Sequence, residues 1–142
     1  MRNIVFWAVA ILATLWNLFG SFDFIMTVTN NQAYLENAPA DMMAWIHGLP
    51  MWRIALWGLC IGVSLLACLA LLLRRTMAPR LFWITVALMI VALGYDVAIG
   101  GVGRLLGPGY VGFACFLIAI EVLFALYAGW AARQGMLKPA MR

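Results

Sequence analysis

Six residues in this chain have the types and positions to do chemistry: Asn17, Asp23, Arg53, Tyr95, Asp96 and Glu121. All fall in or at the ends of stretches otherwise apolar enough to lie in a bilayer. A polar or ionisable side chain at such depth is costly, which makes each a candidate for binding a ligand or an ion. The segment from Leu15 to Tyr34 sets the pattern. At about 100° per residue, Ala13, Asn17, Gly20, Asp23, Phe24 and Thr27 share roughly a third of a helix circumference. Ile11, Leu15, Phe22 and Ile25 point the other way. Such a small and polar face either packs on neighbouring helices, with Gly20 allowing close approach and Asn17 bonding across, or lines a site.

Depth groups the six residues. Counted from the outer boundary at 1.5 Å per residue, Asp23, Arg53 and Asp96 come out level, at about 5–7 Å. Two carboxylates and one guanidinium there would neutralise most of their charge and leave one acid over. Arg53 itself either snorkels to the headgroups or pairs with an acid inside the bundle. Asn17 and Glu121 come out deeper, at about 17 Å on the same count. Glu121 meets no cation at that level, so it is expected to be protonated or hydrogen-bonded at neutral pH. It would then either exchange a proton, as ion-coupled transport requires, or serve as an interhelical partner for Asn17.

The elements that position these groups follow from composition. Of 142 residues, 67% are hydrophobic and only 10% charged, and the mean hydropathy is +1.02. That leaves too little polar surface for a soluble globule of this size, so lipid is the expected solvent. Four runs reach the roughly 20 residues that cross a hydrocarbon core: 4–28, 51–73, 80–99 and 109–132. The expected fold is an all-α membrane protein, one domain over 1–142, with four transmembrane helices in an antiparallel bundle.

The net charge of +4 and pI near 9.3 do not point to nucleic acid, because the basic residues cluster at the span ends. Arg2, Arg74, Arg75, Arg80, Arg133, Lys138 and Arg142 fall on one side, Arg53 and Arg104 on the other. The positive-inside rule then predicts cytoplasmic termini and a cytoplasmic 74–80 loop. The apolar run after Met1-Arg2-Asn3 is too long for a signal peptide, and no small-x-small site follows it.

Along the chain, a short amphipathic helix is expected at 38–47, capped by Asn37 with Pro39 in its first turn and stopped by Gly48 and Pro50. Met42, Trp45, Ile46 and Leu49 share its apolar face, suited to the membrane surface or to capping the bundle. Trp45, Trp52 and Trp57 read as an outer aromatic belt. In the second span Arg53, Trp57, Cys60, Ser64, Ala67 and Leu71 form one stripe; in the third, Thr85, Met89, Ala92, Asp96 and Gly100 do, with Tyr95 beside Asp96. The glycines between 100 and 109 read as a flexible turn, since a phosphate loop would need a strand before it. Around Glu121, Ala114, Ala125, Ala128 and Ala132 make a small face that suits protein contact. The tail from Gln134 to Arg142 is too short to fold alone.

Several chemistries lack their residues. The 3 cysteines include no CxxC pair, and there is 1 histidine, so neither thiol redox chemistry nor a Cys/His metal site is expected. No nucleophile–base pair is visible, and an enzyme, a cofactor or a metal is not expected.

The chain resembles a group of small bacterial four-helix membrane proteins often labelled "sugar transporter". The resemblance rests on Leu15-Trp16-Asn17 with Gly20, Asp23 and Thr27, then Ala33-Tyr34-Leu35, Pro50-Met51-Trp52 and the leucine run ending at Arg74-Arg75. It covers the first two spans well and the last two only generally, and it implies no catalytic residues. Four spans do not give the three-plus-three symmetry of triple-helix sugar transporters. Small multidrug exporters differ in carrying their key glutamate in the first helix.

The expectation is therefore a bacterial inner-membrane protein that binds, and moves, a small polar solute or proton through its interior. Asp23, Arg53 and Asp96 would form an outer vestibule, with Asn17 and Glu121 deeper. Its partners would be the bilayer and further copies of itself. The alternative is an accessory or assembly subunit of a larger membrane complex, with the polar stripes buried against partner helices.

Overall fold

The computed structural model describes residues 2–138. Its elements are α1 (Arg2–Val28), α2 (Gln32–Leu35), α3 (Ala40–His47), α4 (Met51–Leu72), α5 (Ala78–Ala98), α6 (Val102–Leu105) and α7 (Pro108–Arg133). Four of these, α1, α4, α5 and α7, are long and apolar enough to cross a membrane. Among the described residues there is no strand, only an isolated bridge between Arg75 and Lys138. The protein is an all-α membrane protein built on four spanning helices.

The apolar stripes decide which side of each helix meets lipid. On α1, Ile11, Leu15, Phe22 and Ile25 are 46–60% exposed, while Ala13 is fully buried. On α4 the stripe of Arg53, Cys60, Ser64, Ala67 and Leu71 is buried along its length. Backbone packing runs α1 on α4, α4 on α5 and α5 on α7. Gly58 permits part of the first contact, since a Cβ there would meet the Phe24 ring at 3.1 Å. Gly20, expected to allow close approach, does not do so: a Cβ there would meet nothing within 4 Å.

The two ends of the bundle differ. At the end carrying Arg74, Arg75, Arg80 and Arg133, here the basic end, small residues let all four spans close on one apolar core. Phe6, Ala10, Ala13, Ala67, Phe82 and Ala128 are fully buried in it. The tail docks there as well: Met136 and Leu137 are buried in the same core, and the Thr76 amide donates to the Lys138 carbonyl at 3.1 Å. Arg142, counted among the basic residues above, lies outside the described residues.

The opposite end is roofed by α3. Its N-cap is Pro39, without a side-chain cap bond; the expected Asn37 cap is not formed. Instead Asn31 caps α2, accepting from the Tyr34 amide at 3.0 Å. Trp45 and Ile46 of α3 pack on Val102 of α6 and on Tyr110. The Trp45 indole Nε1 donates to the Gly100 carbonyl at 3.0 Å, so this tryptophan, 8% exposed, belongs to the roof rather than to an interfacial belt. Trp57 likewise turns inward, edge-on to Phe24. The glycine segment is not merely a turn: Gly101, at φ 65°, starts the single turn α6, and Gly107, at φ 76°, precedes α7. Both adopt the positive φ that only glycine takes freely.

Candidate functional site

Between the roof and the closed core lies a cavity of about 460 Å³, lined by residues of α1, α3, α4, α5 and α7. Its floor is built from one polar residue on each of three spans. Asn17 on α1, Ser64 on α4 and Glu121 on α7 are 9%, 2% and 4% exposed. Ser64 Oγ lies 2.6 Å from Asn17 Oδ1 and 3.1 and 3.2 Å from the two Glu121 carboxyl oxygens. One helical turn toward the basic end, the same helices contribute Ala13, Cys68 and Ala125 to the packed core. The cavity is therefore blind at that end.

Proton counting orders this floor. The Asn17 amide nitrogen donates to the Ala13 carbonyl at 3.0 Å. A carbonyl only accepts, so the amide must present its NH2 to Ala13 and its Oδ1 to Ser64. Ser64 spends its single proton on Asn17. Toward Glu121 it can only accept, so Glu121 must supply the proton between them. The chain runs Glu121 to Ser64 to Asn17 to Ala13. Both Glu121 oxygens lie close to Ser64, Asn17 is a further polar neighbour, and the side chain lines the cavity.

Nearer the roof, Arg53 and Asp96 form a two-point ion pair. Arg53 Nε donates to Asp96 Oδ1 at 2.8 Å and Nη2 donates to Oδ2 at 2.6 Å. The residues are 8% and 2% exposed. This parallel arrangement is the strong form of a charge-assisted contact. Asp23, expected to share Arg53 with Asp96, has a different partner. The Tyr34 hydroxyl, from α2, donates to Asp23 Oδ1 at 2.7 Å. That bond, followed by burial and the Asp23 charge, raises the Tyr34 phenol above its ordinary value.

The cavity brings five of the six sequence candidates together: Asn17, Asp23, Arg53, Asp96 and Glu121 all line it. Tyr95 does not; it packs edge-on against Trp52, with centroids 4.6 Å apart. Ser64 is the residue sequence reasoning passed over as a site. Its signal was its place on the stripe with Arg53 and Cys60, but serine on a small-residue stripe is common packing material. A second hollow of about 340 Å³ under α2 and α3 shares Asp23, Thr27, Met42 and Ile46 with the first. Asp23 thus borders both hollows. Among the described residues, no group of three His, Cys, Asp or Glu could hold a metal ion.

Fold and site together define a four-span membrane protein whose capped half holds a largely apolar cavity with polar groups at both ends. No family model matches the chain, and neither the curated proteins nor the solved structures compared with it give a match.

Proposed function

We propose that the protein binds a small solute in this cavity, reached from the capped end, and that Glu121 offers the solute a proton-exchanging contact. The observation that carries this reading is the floor itself: a carboxyl group 4% exposed that faces a cavity of about 460 Å³, within the range of small-ligand sites. Apolar walls with a few convergent polar groups are the usual make-up of such sites. Movement of the solute across the membrane requires the core at the basic end to part, so binding is the primary activity and transport its extension.

The expected setting is a bacterial inner membrane with the basic end cytoplasmic, as the grouping of Arg74, Arg75, Arg80 and Arg133 favours. A homo-oligomer is the expected assembly. The polar and small stripes that the accessory-subunit reading would bury against partner helices are buried within the chain, among them Ala13, Ser64, Ala67, Glu121 and Ala125.

The test is solute binding and flux in proteoliposomes with sugars, amino acids, amines and protons, comparing the native chain with Glu121→Gln and Asp23→Asn. Binding that weakens in Glu121→Gln is the expected result. If no solute binds the native chain and a stoichiometric partner co-purifies in mild detergent, the accessory-subunit reading replaces this one.

A further inference from the structure

Resting on the solute-binding reading, the cavity's charge and hydrogen-bond inventory narrows the class of solute. Its lining holds three carboxyl groups, Asp23, Asp96 and Glu121, against a single guanidinium, Arg53. That guanidinium is committed to Asp96 through two bonds. Neither Asp23 nor Glu121 has a cation among its hydrogen-bond partners, which are Tyr34 for the first and Ser64 and Asn17 for the second. An anionic solute would enter against uncompensated negative charge.

The walls point the same way. Six aromatic side chains line the space: Trp16, Phe19, Trp45, Trp57, Tyr110 and Phe113. Aromatic faces attract cations and also accept apolar bodies. The floor adds an acceptor of its own. Glu121, a carboxyl group that lines the cavity, can accept an N–H from whatever occupies it, and a bond to a charged partner is the stronger kind.

We propose that the solute is an organic ammonium ion with an aromatic or branched apolar body, whose N–H groups meet Glu121 while its body lies among the aromatic walls. Binding converts the Glu121 carboxylic acid to a carboxylate. The O–H bond breaks, the proton leaves to water, and no other bond changes. Facing Glu121 are Ser64 and the Cys60 and Cys68 thiols of α4 and Asn17 of α1. Asp23, the Arg53–Asp96 pair and Tyr110 lie further toward the roof. Of the ionisable groups, Glu121 is the one whose proton the arriving charge displaces. Affinity then rises with pH for as long as Glu121 starts out protonated, because each ion bound releases one proton.

The experiment is calorimetric titration of the full chain in nanodiscs, with empty nanodiscs as the blank. The probes are 2-phenylethylammonium, 2-phenylethanol, 3-phenylpropionate and glucose. Buffers of different ionisation enthalpy count the protons released. The ammonium is expected to bind at least ten-fold more tightly than the alcohol and to release one proton. Glu121→Gln, whose amide can still donate to Ser64, is expected to lose both the preference and the release. If the alcohol, the propionate or glucose binds as tightly as the ammonium, the cation assignment is overturned while solute binding stands. An ammonium preference without proton release, or with release unchanged in Glu121→Gln, overturns the role of Glu121. Should that variant not fold, proton release in the native chain decides the point alone. If none of these probes and none of the wider panel binds, solute binding itself falls.

Discussion

Ser64 Oγ sits 2.6 Å from Asn17 Oδ1, and that one contact fixes the direction of every proton on the cavity floor. Removing the hydroxyl leaves an amide oxygen and a carboxyl group buried without their shared partner. Interhelical bonds in membranes are worth about 0.6–2 kcal/mol, and an orphaned buried group costs about 1–3. Ser64→Ala is therefore expected to destabilise the protein by about 1–2 kcal/mol, measured by reversible unfolding in mixed micelles. Combined with Asn17→Ala, the loss should be less than additive, since both substitutions cut the same chain. Additive losses would mean that the two residues act separately.

The Arg53–Asp96 pair invites a different comparison. Both residues are buried, at 8% and 2% exposure, so neutralising one partner strands the other. Arg53→Met alone or Asp96→Leu alone should cost about 3–5 kcal/mol. The double variant should recover most of that, because an apolar pair of similar volume avoids the desolvation of both charges. A double variant as unstable as either single one would show that the pair holds α4 to α5 in a way apolar packing does not replace.

Helix periodicity made the scaffold legible and left the contacts open. The stripes placing Asn17 and Asp23, Arg53 and Ser64, Asp96, and Glu121 on inward faces are properties of single helices. Which of these residues meet depends on how the helices rotate and which neighbours they choose. The depth count put Asp23 level with Arg53 and Asp96, yet Asp23 bonds Tyr34, because α2 folds back over the end of α1. Nothing in the polar run 29–32 announces that one-turn helix except the Asn31 cap. Trp45 shows the same limit. A tryptophan near a span end reads as an interfacial anchor, but the turn between α5 and α6 supplies the Gly100 carbonyl and draws the indole under the roof.

The Tyr34–Asp23 bond gives the roof a pH limit. The phenol is raised above its ordinary value of 10.0, chiefly by its bond to Asp23. A group whose folded value is raised stabilises the fold fully below its unfolded value, and that contribution disappears as pH rises through the folded value. The contact should thus hold through neutral pH and break only in the alkaline range above the ordinary tyrosine value. Ultraviolet titration of tyrosinate, with Tyr34→Phe to identify the signal, should show this phenol ionising late. Asp23→Asn should bring it down toward 10.0. A Tyr34 titration that Asp23→Asn leaves unmoved would mean the two side chains are not bonded in the membrane.

At the basic end, Arg74 carries a strain that its side chain offsets. Its φ is 53°, left-handed backbone that costs a residue with a Cβ roughly 1–2 kcal/mol and that glycine adopts freely. The guanidinium lies 4.8 Å from the Phe6 ring centroid and 5.2 Å from that of Trp7, contacts worth about 0.5–1 kcal/mol at an exposed site. The two terms separate by substitution. Arg74→Ala keeps the strain and loses the contacts, so it should destabilise by about 0.5–1 kcal/mol. Arg74→Gly loses the same contacts but relieves the backbone, and should come within a few tenths of the native chain or slightly above it, by about the glycine advantage in such a turn. Thermal unfolding of the two variants side by side reads the difference directly. Equal losses would mean that the turn relaxes to ordinary φ in solution and that the rings, not the backbone, set the preference for arginine. Because Phe6 is wholly buried in the core beneath the cavity, loosening this turn also tests how firmly the blind end is shut.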